Sequence, residues 1–111
     1  MKTLTANELK AKRDRGEDFT LINTLSHENF EKTHIPDSIN IPLEDGNFPE
    51  KVEETIGGNE QPVVVYCAST ECQSSKRAAE ELEQANFTQV YDFEGGAQEW
   101  QEAGGALVGQ S

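Results

Sequence analysis

Val63-Val64-Val65-Tyr66-Cys67 runs into Ala68-Ser69-Thr70-Glu71-Cys72-Gln73-Ser74, and then into a helical pattern with Ala78, Ala79, Leu82 and Ala85 on one face. A short unbroken apolar run is the pattern of a strand covered on both faces. Here it delivers a cysteine across a polar loop to the mouth of a helix. Backbone N–H groups and the positive end of the helix dipole meet there. A thiol so placed ionises more easily, and the thiolate is the reactive form. The competing reading is a small buried cysteine that ends a strand. The polar loop directly after Cys67 favours the reactive one.

Working outward, helices and strands alternate. Thr5-Ala6-Asn7-Glu8 reads as a capping box opening a helix to about Arg15, stopped by Gly16. Phe19 to Ile22 reads as a strand and Ser26 to Lys32 as one or two helical turns. Pro36 makes a turn of His34 to Asp37, since it pushes Ile35 away from helix. Ile39 to Ile41 is a brief strand, and Phe48 to Ile56 a helix with Pro49 in its first turn. After the Cys67 strand come a helix from Ser74 to Ala85, a strand from Val90 to Phe93 and a last helix from Ala97 to Ala103. This order predicts an α/β fold with a mainly parallel sheet. Ligands of such sheets bind beyond the carboxyl ends of the strands, where Cys67 falls.

The 111 residues fit one domain, 1–111, with a Gly-rich tail over 104–111 expected to be loose. A net charge of −12, from 21 acidic and 9 basic residues, argues against nucleic acid, whose phosphates need clustered Lys and Arg. It also disfavours an anionic membrane surface. No stretch is long enough to span a membrane, and the N-terminus has no apolar leader. Two cysteines make no disulfide scaffold, so the expected setting is a reducing cytoplasm with an exposed, free thiol. The acidic coat suits either solubility in high salt or an ordinary acidic surface.

Several segments, taken in order, resemble the rhodanese family. Glu31-Lys32-Thr33-His34-Ile35-Pro36-Asp37-Ser38-Ile39-Asn40-Ile41-Pro42 is similar to its His-Ile-Pro…Asn-Ile-Pro signature. Val64-Val65-Tyr66-Cys67 resembles its catalytic strand and cysteine, and Ser75-Lys76-Arg77-Ala78-Ala79 the helix that follows. Gly95-Gly96-Ala97-Gln98-Glu99-Trp100 resembles its late Gly-Gly-x-x-x-Trp motif. The resemblance implies a three-layer fold and a single-domain sulfurtransferase needing no cofactor and no metal. Cys67 would accept a sulfane sulfur as a persulfide from a small donor or a protein persulfide. It would pass that sulfur to a thiol acceptor protein or another nucleophile. The loop Ala68, Ser69, Thr70, Glu71, Cys72, Gln73, Ser74 and Ser75 would bind substrate, its N–H groups cradling the anionic sulfur.

Three departures from the family pattern bear on this. Asn23-Thr24-Leu25 replaces the usual Asp-Val-Arg. The Cys67–Ser75 loop is about two residues longer than the commonest one, by comparison with the family. It also carries Glu71 and no cation before Lys76. Related Cys-loop phosphatases need an Arg close behind the cysteine, and Arg77 falls inside the helix, which disfavours phosphatase chemistry. Cys72 reads either as a resolving thiol for Cys67 or as a small loop residue that fits, so a dithiol–disulfide redox protein is the second function. A non-catalytic binding module is the third. A zinc site from Cys67, Cys72, His27 and His34 is weaker, because the histidines lack ligand spacing. His34 is expected to hold a turn and Trp100 to pack in the core. The identities of donor and acceptor, and the oligomeric state, stay open.

Overall fold

The computed structural model describes residues 2–68 and 73–108. Five parallel strands form one sheet in the order β1-β5-β4-β2-β3. The strands are β1 (Lys2–Thr3), β2 (Thr20–Asn23), β3 (Ile39–Asn40), β4 (Val63–Tyr66) and β5 (Val90–Phe93). The helices are α1 (Ala6–Asp14), α2 (His27–Lys32), α3 (Phe48–Ile56), α4 (Ser74–Gln84) and α5 (Gly96–Glu102), with a 3-10 turn at Leu43–Asp45.

The run that ends at Cys67 becomes β4, near the middle of the sheet, and all four of its residues are fully buried. Alternation along the strand splits it between two cores. Val63 and Val65 pack with Ile22, Phe48, Val52, Ala79 and Leu82 under α3 and α4. Val64 and Tyr66 pack with Leu9, Phe93, Ala97 and Trp100 under α1 and α5. Helices on both faces of a parallel sheet give the expected three layers. Burying a Val or Leu side chain is worth roughly 1.5–3 kcal/mol, so the four buried residues of β4 anchor the strand that leads into Cys67.

The capping box forms as read: Thr5 Oγ1 accepts from Glu8 N–H at 3.2 Å, and Glu8 Oε1 accepts from Thr5 N–H at 3.0 Å. Three local differences have physical causes. β1 is two exposed residues paired with β5, too short to show a period. β2 runs one residue later than read, because the polar Asn23 continues the pairing opposite Tyr66. Residues 104–108, read as loose, are tied down: Gly105 N–H reaches Trp100 O at 2.8 Å, Trp100 Nε1 donates to Ala106 O at 2.9 Å, and Val108 bridges His34. Glycine content suggested looseness there, but the tether is a tertiary contact that composition does not carry. No described helix is long and apolar enough to cross a membrane.

Candidate functional site

Cys67 follows β4 directly, at the carboxyl end of the sheet. It is fully buried, where the sequence led us to expect an exposed thiol. Its Sγ–H donates to Ser75 Oγ at 3.8 Å. Ser75 is itself buried, in the first turn of α4. Among the described residues no side chain caps the first turn of α4.

The late Gly-Gly pair holds this loop from below. Gly96 has φ +61°, a left-handed conformation that favours glycine. A Cβ at Gly96 would collide with the Cys67 carbonyl and with the backbone of Ala68. The close approach lets Ala97 N–H donate to Cys67 O at 3.0 Å and Gln98 N–H to Ala68 O at 2.9 Å.

Asn23-Thr24-Leu25 walls the same end of the sheet without an ion pair. Asn23 Oδ1 accepts from Leu25 N–H at 2.9 Å, and Asn40 Nδ2 donates to Leu25 O at 2.8 Å. Thr24 donates from both N–H and Oγ1 to Tyr66 O. The acceptor of the usual aspartate is thus kept as an amide oxygen. Tyr66 joins β4 to the His-Ile-Pro turn: its hydroxyl accepts from Ile35 N–H at 3.0 Å and shares a 2.7 Å hydrogen bond with Ser38 Oγ. Burial pushes the Tyr66 phenol up, with hydrogen bonding to Ser38 and Asn23 opposing. A cleft of about 320 Å³ opens beside this wall, lined by Thr24, Leu25, Asn29, Ser74 and Arg77 among others.

One residue that the sequence left as plain strand is a buried acid on β5, paired with Val65. Asp92 shares a face of β5 with Val90, beneath α4, and is fully buried. Burial pushes its carboxyl up from the ordinary aspartate value; the Ser75 hydroxyl opposes, Glu94 adds to the rise and Lys76 opposes it. Neither carboxylate oxygen has a hydrogen-bond partner among the described residues. The available signal was an acid inside the apolar strand Val90-Tyr91-Asp92-Phe93.

Of the expected loop, Ala68 directly follows Cys67 and is exposed, Gln73 is exposed just before α4, Ser74 is half-buried at its start, and of these Ser75 meets the Cys67 sulfur. Ser69, Thr70, Glu71 and Cys72 lie outside the described residues. Lys76 and Arg77 are exposed on α4. His27 pairs with Glu31 at 2.8 Å, while His34 stacks on Phe30 and places Nδ1 2.8 Å from the Phe30 carbonyl oxygen. Among the described residues, no three His, Cys, Asp or Glu side chains are gathered as metal ligands.

Comparison with known proteins agrees with this architecture. Over 111 aligned residues the chain is 32% identical to an HTH-type transcriptional regulator of Mycobacterium tuberculosis, covering 96% of this chain and 46% of that protein. It is also 32% identical to the uncharacterized protein YqhL of Bacillus subtilis, covering 90% of this chain and 72% of that one. The chain therefore spans about half the length of the first relative and nearly three quarters of the second. In fold it is similar to a thiosulfate sulfurtransferase of Pseudomonas aeruginosa, with a TM-score of 0.87 and 21% identity over all of this chain and 21% of the other. A rhodanese-like domain from Anabaena superposes with a TM-score of 0.83 and 24% identity, over 99% of this chain and 80% of that one. Residues 5–103 match the Rhodanese-like domain family, and with the cysteine-bearing strand, the Gly96 support and these relatives in place, the chain belongs to that family.

Proposed function

We propose that this chain is a sulfurtransferase in which Cys67 takes up a sulfane sulfur as a persulfide and passes it to a thiol or another nucleophilic acceptor. The observation that carries the proposal is the placement of Cys67. The residue follows a buried central strand, its Sγ meets Ser75 in the first turn of α4, and its carbonyl is held by α5. A fixed main chain and the positive end of a helix suit a sulfur atom that becomes anionic. The likeness in fold to a thiosulfate sulfurtransferase supports the same reading. Covalent carriage splits one transfer into two easier steps. The cleft lined by Thr24, Ser74 and Arg77 opens at the first residue of α4, one position before the Ser75 that meets Cys67.

A thiol persulfide suits this site better than thiosulfate. The chain carries −12, and no cation stands between Cys67 and Lys76. A dianion is repelled more by such a field than a neutral or singly charged donor. Steady-state sulfur transfer to cyanide should therefore be faster from a thiol persulfide, and the gap should narrow as salt is added. Equal turnover from both donors at low salt would contradict this.

Intact-protein mass after brief exposure to donor, or to mild oxidant, tests the function itself. A gain of one sulfur atom is the expected result. A loss of two hydrogens under oxidant, with no sulfur gain from any donor, would assign Cys67 and Cys72 to dithiol–disulfide chemistry instead.

A further inference from the structure

The clefts of the described surface differ in how their charges are met. A cleft of about 360 Å³ beside Arg13 has its charges paired: Arg13 meets Asp37 at 3.2 Å, and Glu17 meets Lys12 at 3.0 Å and Arg15 at 2.5 Å. The cleft of about 320 Å³ at the start of α4 is different. Its described lining holds one cation, Arg77, and two acids, Glu44 and Glu81, and none of the three makes an ion pair among the described residues. Arg77 and Glu81 stand four apart on α4, the spacing at which a helix commonly pairs such groups, yet no pair closes there. Glu44 comes from a different element, the 3-10 turn, which Leu43 N–H ties to Thr24 O at 3.2 Å. Two chain segments join this cleft to the cysteine. Thr24, on its wall, donates from N–H and Oγ1 to Tyr66 O at 3.0 and 3.2 Å, and Tyr66 directly precedes Cys67. Ser74, also on its wall, directly precedes the Ser75 that meets the Cys67 thiol. Cys67 itself is buried, so the cleft is placed to hold the part of a donor that does not react. Binding such a part orients the part that does.

We propose that this cleft is a subsite for the α-amino-acid end of a small thiol persulfide, with the carboxylate on Arg77 and the ammonium on Glu44 and Glu81. The inference rests on the sulfurtransferase reading above and names its class of donor. An α-amino-acid end carries one charge of each sign close together, and the cleft offers groups of both signs. A guanidinium takes a carboxylate through two parallel hydrogen bonds, and an ammonium has three donors to share between two carboxylates. A donor with a carboxylate and no ammonium meets Glu44 and Glu81 as like charges. A donor with an ammonium and no carboxylate meets Arg77 in the same way. The zwitterionic end adds no net charge to a chain that already carries −12. A volume of about 320 Å³ is at the small end of ligand pockets, which run from roughly 300 to 1,000 Å³, and this suits a ligand of amino-acid size. In the transfer, the sulfur–sulfur bond of the donor breaks and its outer sulfur, keeping its hydrogen, bonds to Cys67 Sγ. The Cys67 thiol proton ends on the departing thiol. Cysteine itself and a γ-glutamyl peptide of it such as glutathione both carry the required end.

Binding is measured apart from transfer. S-methylcysteine has the amino-acid end and no sulfur to give, so its titration into isotope-labelled, reduced protein, followed by amide NMR signals, reads the subsite alone. Signals of Thr24, Leu25, Ser74 and Arg77 should shift and saturate. Methylthiopropionate, which lacks the ammonium, and methylthioethylamine, which lacks the carboxylate, should each bind about fivefold more weakly, the upper end of what an exposed ion pair supplies. Arg77→Gln should abolish the advantage of S-methylcysteine over methylthioethylamine, and Glu44→Gln with Glu81→Gln its advantage over methylthiopropionate. Failure of S-methylcysteine to shift these signals, equal binding of all three ligands to wild type, or an unchanged preference in the variants would overturn the proposal. The wild-type comparison decides even if a variant does not fold. Loading rates are then compared for persulfides of cysteine, glutathione, mercaptopropionate and cysteamine. The two donors with an amino-acid end should load Cys67 faster than the two without, and the faster of the pair tells the free amino acid from the γ-glutamyl peptide. Equal rates for all four would overturn the proposal. If S-methylcysteine binds as expected and no persulfide loads the protein, the sulfurtransferase reading fails and the amino-acid subsite stands.

Discussion

Asp92 shows at the scale of one residue what a buried acid costs the fold. Burial disfavours its charged form, so the folded chain binds the Asp92 proton more tightly than the unfolded chain does. Between the ordinary aspartate value and the raised folded one, the folded state holds the extra proton. The residue's contribution to stability is therefore fully present below that window, is lost as pH rises through it, and stays lost above it. Asp92→Asn should raise the urea midpoint at neutral pH, by an amount on the order of 1 kcal/mol, the low end of the cost of a buried unsatisfied group. The advantage over wild type should shrink to nothing in acid, below the ordinary aspartate value. Urea titrations of both proteins across pH check this; an advantage that does not depend on pH would contradict it.

At the scale of elements, the site is two helix starts closing on one strand end. α4 brings Ser75 to the sulfur and α5 brings Gly96 under the carbonyl. Gly96→Ala should lower the melting temperature, with a penalty of roughly 1–3 kcal/mol for strained backbone, and should slow sulfur loading by moving Cys67. Gly104→Ala is the control: φ there is +90°, but an added Cβ meets nothing within 4 Å, so stability should fall while loading holds. Equal loading by Gly96→Ala and wild type would show that the α5 support does not position the cysteine. Much of this was legible in the sequence. Val63 to Tyr66 announced a buried strand, Thr5 to Glu8 a helix start, and the Gly95-Gly96 pair a resemblance. The sequence did not show why Gly96 must be glycine, because its neighbour in space is the backbone of Cys67, 29 positions away in the chain. Asp92 was missed for a related reason. A single acid in a strand reads as a surface residue until the helix over it is known.

The whole molecule adds the field in which this chemistry runs. With 21 acidic and 9 basic residues the folded chain repels itself, and salt screens exposed charges over about 10 Å at 0.1 M. Thermal or urea midpoints at neutral pH should rise with added sodium chloride, and a midpoint that falls would contradict the charge argument. The charge was readable from composition, whereas the tether of residues 104–108 to Trp100 and His34 was not, since it exists only once distant segments meet. The sulfur carrier we propose is Cys67. The most direct test is tandem mass spectrometry of protein exposed to a thiol persulfide, with the added sulfur located along the chain in wild type, Cys72→Ser and Cys67→Ser. We expect one added sulfur on Cys67 in wild type and in Cys72→Ser, and none in Cys67→Ser. Sulfur found on Cys72 alone, or loaded equally in Cys67→Ser and wild type, would contradict the claim.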